Sequence, residues 1–338
     1  MKKNIALIFG SINSEHDVSV ASAASVLEHF PLDKYDLSLI YIAKNGTWYT
    51  GDYSLDAMKA NELDGHKELL LKFDFKNPGF VERESGVELH IDGAFIMLHG
   101  RMGEGGEIQG LLHSANIPFT GCDVLSSALC MDKYYTHVVC EANDIPMAQY
   151  QLITKEDTVD ASSISYPVIV KPNREGSSFG VTFVPDEKSL QKAIDFALEY
   201  DSHILIEEYI KGTEVGLGIL KTKNDYVISE VDQVNVSGDI FDFSEKYHPH
   251  STETLPISIF PEEVRKQVQA YGAKVFDLLA CYQFARLDFF VTDDHKIYLN
   301  EVNTIPGFTS SSRYPKMLAG KGVDFTSLIT KMVEDIVC

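Results

Sequence analysis

The order of apolar and polar positions divides the chain into three units that mix strands and helices. Asn4 to Phe9 is an apolar run too short for a helix and closed by Gly10, which predicts a buried strand. After a polar stretch, Val20, Ala23, Ala24, Leu27 and Phe30 recur at helical spacing, so a helix is expected over Val18 to Phe30. Leu37 to Ala43 and Ala94 to Leu98 read as further buried strands and Ile117 to Phe119 as a short one, with helical patterns between them. Residues 1–122 therefore predict an open α/β domain.

A second unit, 123–213, opens with a helix expected over Val124 to Ala142. It continues through a strand at Pro167 to Lys171, a Gly/Ser loop, a strand at Val181 to Val184, a helix over Glu187 to Tyr200 and a strand at His203 to Glu208. The third, 214–338, holds several β runs, a helix over Pro261 to Ala280, strong strands at 285–291 and 296–303, and a terminal helix. No repeat, low-complexity tract or Gly/Ser linker separates the units, so close packing is expected, with ligand sites in the clefts.

Composition narrows the function. A chain of 338 residues exceeds what one core organises, and with 44% apolar and 23% charged residues all of it should fold. Lys and Arg number 29 against 50 Asp and Glu, a formal charge of −21, which disfavours nucleic acid and anionic membranes as partners. A small anion then requires cations concentrated in a focused basic pocket. Five cysteines without CxxC spacing argue against a zinc site or a disulfide framework and predict reduced, mostly buried thiols. No stretch suits a signal peptide or a bilayer span, so the cytoplasm is the expected location.

The candidate chemistry is densest in Phe284 to Asn303, which reads as a β-hairpin turning at Asp293 to Lys296. A turn centred between Asp294 and His295 sets Asp288 opposite Glu301 and Arg286 opposite Asn303, on one face. Paired carboxylates with an Asn suit Mg²⁺ bridging nucleotide phosphates, and Arg286 suits a transferring phosphoryl or carboxylate group. Alternation alone fits an ordinary polar hairpin face as well. The Pro306-Gly307 turn that follows favours the functional reading, because it brings Ser310 to Ser312 beside the proposed metal.

Val168 to Pro172 carries Lys171 at its end and leads into the loop Asn173 to Gly180, whose backbone N–H groups suit phosphate oxygens, although a plain hairpin turn has the same composition. The apolar strand Ile204 to Glu208 and the following Tyr209 to Glu214 fit an adenine and ribose edge or a solvated strand end. No GxxxxGK[ST], GxGxxG or kinase motif is present, so a nucleotide must be held by another architecture.

Taken in order, these segments resemble the D-alanine-D-alanine ligases of the ATP-grasp superfamily across essentially the whole chain. Phe9-Gly10-Ser11-Ile12-Asn13-Ser14-Glu15-His16-Asp17-Val18-Ser19 is similar to the family's FGGxSxEHxVS signature, with Ser11 for the second Gly. His99 to Gly106 is similar to its HGxxGEDG loop, with Gly105 for Asp. Met131-Asp132-Lys133, Val170-Lys171-Pro172, Gly176-Ser177-Ser178, Glu245-Lys246-Tyr247, Arg286-Leu287-Asp288 and Asn300 to Gly307 complete the set.

The resemblance implies an ATP-grasp fold, α/β with α+β character in the ATP-binding part: an N-terminal open α/β domain, a central lid domain and a C-terminal catalytic domain. It implies that Lys133, Lys171 and Lys246 serve ATP, that the edge Glu207, Glu208 and Ile210 holds adenine, and that Glu214 binds ribose. Asp288, Glu301 and Asn303 would ligate two Mg²⁺ ions, with Mn²⁺ as an alternative. Glu15 would bind the first D-alanine's ammonium and Arg286 would stabilise the acyl phosphate and tetrahedral intermediate. Ser177 and Tyr247 would close the site with Glu15, while His99, Gly307 and Ser312 would lie at the substrates.

The implied activity is ATP-dependent synthesis of a D-alanyl dipeptide for peptidoglycan precursors through an acyl phosphate. Residues 236–252 and the Gly/Ser loop are the expected lids, and a homodimer joined through the N-terminal domain is the expected assembly. Glu245-Lys246-Tyr247 argues against D-lactate as acceptor. Gly121 to Ala128 and Ser312-Arg313-Tyr314-Pro315 look like the vancomycin-resistance branch, and Arg313 near the acceptor could favour D-serine. The expectation is D-alanine, with D-serine as the alternative.

Overall fold

The computed structural model describes every residue except 1, 61, 64, 237–251, 256 and 338. The first unit comprises β1 (Asn4–Gly10), α1 (His16–His29), β2 (Asp36–Ile42), β3 (Trp48–Thr50), α2 (Leu55–Ala60), β4 (Lys67–Lys72), β5 (Gly79–Glu82), β6 (Glu88–His90), β7 (Gly93–Met97), α3 (Arg101–Glu104) and α4 (Glu107–Ser114). One seven-stranded sheet runs β6-β5-β4-β3-β2-β1-β7. β1 lies between β2 and β7 and is parallel to both, so Ile5 to Phe9 is buried on both faces, as an uninterrupted apolar run requires. The chain leaves the carboxyl ends of β1 and β7 in opposite directions, opening a crevice lined by the loops after Gly10 and Met97.

Two expectations for this unit change. Between β2 and β7 the chain builds antiparallel strands and one short helix in place of repeated helices. Those strands are short and carry charges on exposed positions, such as Lys67 and Glu88, so they lack a long apolar signature. The strand expected at Ile117 to Phe119 is reduced to a bridge between Phe119 and Ala94.

The second unit contains α5 (Val124–Met131), α6 (Lys133–Glu141), β8 (Tyr150–Thr154), β9 (Val168–Pro172), β10 (Thr182–Val184), α7 (Glu187–Ala197) and β11 (His203–Glu208), with sheet order β10-β9-β11-β8. The single helix expected over 124–142 is split. Asp132 adopts an extended ψ of 99° and its carboxylate accepts the Tyr135 N–H at 3.1 Å, so it caps a new helix instead of continuing the old one. Lys133 consequently opens α6, facing the Gly/Ser loop.

The third unit contains β12 (Thr213–Lys221), β13 (Tyr226–Ile228), β14 (Asp232–Val236), β15 (Thr252–Leu255), α8 (Glu262–Leu278), β16 (Gln283–Val291), β17 (Ile297–Asn303), α9 (Arg313–Ala319) and α10 (Phe325–Val337). Its sheet runs β15-β14-β12-β16-β17, with β13 on β12. The units share cores. Leu328, Met332, Phe284, Phe308 and Tyr314 pack into the same buried cluster as β1 and β7, so the segment after β17 is fixed against the first sheet.

The four described cysteines, Cys122, Cys130, Cys140 and Cys281, are free and buried, as expected. Among the described residues no helix is long and apolar enough to cross a membrane.

Candidate active site

Two cavities meet between the units. The larger, about 410 Å³, lies along β11 and the start of β12 and is lined by Lys171, Glu207, Glu208, Ile210 and Glu214. The smaller, about 90 Å³, lies at the crevice above β1 and β7 and is lined by Glu15, His99, Ser177, Arg286, Asn303 and Gly307. Lys133, Glu175, Gly176, Asn300 and Glu301 line both. One long and one compact ligand could therefore meet end to end beside a lysine, a glutamate and a loop rich in backbone N–H groups.

β16 and β17 form the expected hairpin. Asp288 faces Glu301 and Arg286 faces Asn303. Nearer the turn the pairing shifts by one residue, Phe289 facing Leu299, which leaves Asn300 as the extra residue of a β-bulge. The turn is centred one half-residue earlier than alternation implies, and the bulge restores the register at the polar end. Asp288 is buried, and its carboxylate accepts from Arg286 Nε at 2.9 and 3.0 Å, from Arg286 Nη2 at 2.8 Å and from Asn303 Nδ2 at 3.0 Å. Burial works against the Arg286 charge, yet the Asp288 carboxylate outweighs it and holds the guanidinium pKa above its usual value.

The lysines converge on the same junction. Lys171 pairs with Glu207 Oε2 at 2.7 Å, and His137 Nε2 hydrogen-bonds Glu207 Oε1 at 2.8 Å. Burial alone would raise the Glu207 carboxyl, but Lys171 and His137 together bring it down to about 2. Lys133 Nζ donates to the Glu175 carbonyl at 2.5 Å, and the Tyr134 N–H donates to Asn173 Oδ1 at 2.8 Å, binding the first turn of α6 to the Gly/Ser loop. Burial, then the charge of Lys171, lowers the Lys133 pKa. The pocket is thus of mixed charge, unlike the basic pocket expected, because buried cations are stabilised by paired acids.

Above the β1 and β7 ends, Ser177 Oγ donates to a Glu15 carboxylate oxygen, joining the Gly/Ser loop to the N-cap of α1. Ser177 and Ser178 both adopt left-handed φ values, 51° and 61°. Gly100 is required at φ 72°, since a Cβ there would lie 2.3 Å from Glu15 Oε2. Ser11 also takes a glycine-like φ of 143°, so the departure from the family motif keeps the backbone path at a cost in strain. Gly105 leaves room for Glu107, whose Oε2 would lie 2.3 Å from an added Cβ. His99 donates Nδ1–H to the Ile305 carbonyl at 3.0 Å and accepts from Ser22 Oγ at 2.8 Å, and burial lowers its pKa.

Glu104 accepts from the Gly100 N–H at 3.0 Å and the Ile305 N–H at 3.3 Å, yet burial, reinforced by Glu15, pushes its carboxyl up to about 8. A carboxyl raised on folding favours the fold when protonated. Its contribution is complete below the ordinary 4.5 and is lost as pH rises through about 8. The melting temperature of the ligand-free protein should fall over this window, and Glu104→Gln should flatten that fall. Identical pH profiles for the two proteins would contradict the assignment.

Comparison with known proteins decides the family. The D-ala D-ala ligase N-terminus matches residues 4–122 and the D-ala D-ala ligase C-terminus matches residues 139–334. The chain belongs to the D-alanine–D-alanine ligase family. It is therefore an ATP-dependent ligase of the ATP-grasp fold. It is 40% identical to the vancomycin B-type resistance protein VanB of Enterococcus faecalis, covering 98% of each chain. It is 38% identical to a D-alanine–D-alanine ligase of Acetivibrio thermocellus, over 98% of this chain and 95% of that one. In structure it is similar to the VanG D-Ala:D-Ser ligase of E. faecalis, with a TM-score of 0.91, 34% identity and full coverage of both chains.

Three of the proposed ligase residues, Asp288, Ser312 and Arg313, line neither cavity. Asp288 lies directly beneath Arg286. Ser312 Oγ accepts from the Thr309 N–H at 3.0 Å and shapes the turn after Gly307. Arg313, expected near the acceptor, pairs with Glu214 and Asp232 and lies 3.7 Å from Asp288. Lys246 and Tyr247, with most of the lid expected at 236–252, lie outside the described residues. Sequence reasoning did not single out Glu104, Glu175, Asp232 or His137. For His137 a signal existed: it lies one helical turn after Lys133.

Proposed function

We propose that the chain joins two D-alanines, consuming ATP and passing through D-alanyl phosphate, to make a dipeptide for peptidoglycan precursors. The observation carrying this reading is the meeting of the two cavities at Lys133, Gly176 and Glu301, with Arg286 beside the junction. Adenine and ribose occupy the larger cavity along Glu207, Glu208, Ile210 and Glu214, which leaves the γ-phosphate at the junction near Lys133 and Lys171. The donor amino acid sits in the smaller cavity with its ammonium at Glu15. One of its carboxylate oxygens attacks the γ-phosphorus and ADP departs. The second D-alanine then attacks the acyl carbon with its amine, loses a proton, and phosphate leaves with the shared oxygen.

Negative charge accumulates on oxygen in both steps, and Arg286 and Lys133 are placed to stabilise it. Ser177, closing on Glu15, shields the acyl phosphate from water. Asp288, Glu301 and Asn303 provide oxygen donors fitting a hard cation, and Mg²⁺, or Mn²⁺ in its stead, bound there in two sites would neutralise the phosphates. Among the described residues no three His, Cys, Asp or Glu side chains form a ready-made metal cage. Mg²⁺ takes few protein carboxylates and completes its shell with phosphate and water.

D-Alanine is favoured as acceptor over D-serine because Arg313, the feature pointing to a hydroxyl-bearing side chain, lines neither cavity and is engaged by Asp232 and Glu214. Incubation with ATP, Mg²⁺ and equal D-alanine and D-serine should yield mainly the D-alanyl-D-alanine mass. A predominantly mixed product would transfer the assignment to D-serine, and no dipeptide would reject the reading. ATP as substrate places the work in the cytoplasm. Phe75, Leu111, Val124 and Leu125 are exposed on neighbouring elements and support a homodimer, for which sedimentation should show twice the chain mass.

A further inference from the structure

Glu214 and Gly216 on β12 point to the same sheet face as Asp232 on β14 and Asp288 on β16, because Gly216 pairs with both acids and Glu214 is two residues away. Three carboxylates on adjacent strands repel one another unless a cation lies among them. Arg313, in the first turn of α9, supplies it. Its Nε and Nη2 donate to Asp232 at 3.0 and 2.7 Å, its Nη1 donates to Glu214 at 3.0 Å, and the same nitrogen is 3.7 Å from Asp288 Oδ1. Gly216 makes the space, since a Cβ there would lie 2.4 Å from Arg313 Nη2 and 2.7 Å from Asp232 Oδ1. The Arg313 and Asp232 side chains are only 16% and 2% exposed, so this is an interior cluster.

We infer that Arg313 is a positioning residue for the nucleotide and metal site, holding Glu214 and Asp288 in place through a guanidinium seated over Gly216. The inference rests on the reading of Glu214 as a ribose contact and Asp288 as a metal ligand. Arg313 touches neither ligand. Without it Asp232 and Glu214 lose the donor they share and repel each other, and Asp288, still bonded by Arg286 and Asn303, meets that repulsion across Gly216. Lysine retains the charge but cannot span Asp232 and Glu214 with a planar fork.

Calorimetric titration with Mg²⁺ and an imido analogue of ATP that cannot transfer its phosphate tests this without turnover. Arg313→Met should weaken analogue binding in Mg²⁺ by about tenfold or more and raise the Mg²⁺ concentration needed for half-saturation. Arg313→Lys should recover part of the loss, and Gly216→Ala should reproduce it with the arginine still present. Should Arg313→Met fail to fold, Gly216→Ala and Arg313→Lys carry the test. Analogue binding and Mg²⁺ dependence that match the parent protein, or become tighter, overturn the inference. Asp288→Asn in the same series separates the two readings: if it weakens binding and the Arg313 and Gly216 variants do not, the positioning role alone falls. If Asp288→Asn also has no effect, the reading of the site falls with it.

Discussion

Replacing Arg286 with methionine is expected to lower kcat by about 10²–10³-fold, the loss typical of removing one preorganised donor to a developing oxyanion. Arg286 lines the smaller cavity and is held by Asp288, whose carboxylate also accepts from Asn303. In the proposed mechanism acyl phosphate formation and amine attack both build charge within its reach, so its contribution grows toward the transition state and should appear in kcat more than in KM. The substitution also leaves Asp288 without its main partner, at a stability cost of about 3–5 kcal/mol for a broken buried pair. Arg286→Lys keeps the charge and should retain more of both properties. A methionine variant that folds and turns over at the parental rate would remove Arg286 from the chemistry.

Asp288→Asn and Glu301→Gln should have comparably large effects by a different route. Each conserves shape while removing an anionic oxygen from the pair that faces across β16 and β17. If these acids hold the metal as proposed, losing one leaves Mg²⁺ mainly to phosphate and water, so the Mg²⁺ concentration for half-maximal rate should rise sharply and kcat/KM for ATP should fall by about 10–100-fold or more. The two variants differ in stability. Asp288 is buried under Arg286 and near Arg313, so its amide should destabilise the fold, whereas Glu301 lines both cavities and its amide should be milder. An unchanged Mg²⁺ requirement in both variants would separate these acids from the metal.

The parts of this site legible in the sequence are those written in local alternation. Period-two patterning fixed which residues of the hairpin share a face, since a slip of one residue would have turned Leu287 and Val302 out of the core. The bulge at Asn300 was invisible because the extra residue is absorbed within one strand, whereas its partner remains regular. The break at Asp132 was readable in principle as an N-cap, but the apolar spacing on either side continues across it. Strands β4 and β6 have exposed, charged positions, and β3 and β5 are only three and four residues long, so they carry little periodic signal.

Ion pairs between distant segments were the least legible. Arg313 meets Asp232 across 81 positions, and His137 meets Glu207 across 70. Nothing local marks either pair, and for Arg313 the family resemblance of Ser312 to Pro315 suggested the acceptor pocket. The cations expected in one basic patch are distributed among acids for the same reason: the fold that concentrates them also buries them.

In the proposed reaction the donor carboxylate attacks phosphorus directly. D-Alanine labelled with ¹⁸O in its carboxylate, supplied with ATP, Mg²⁺ and the protein, tests it. The inorganic phosphate released should carry one ¹⁸O taken from the donor and the dipeptide carbonyl should retain the other. Phosphate without label, accompanied by dipeptide, would contradict the acyl phosphate route and the arrangement of residues argued to support it.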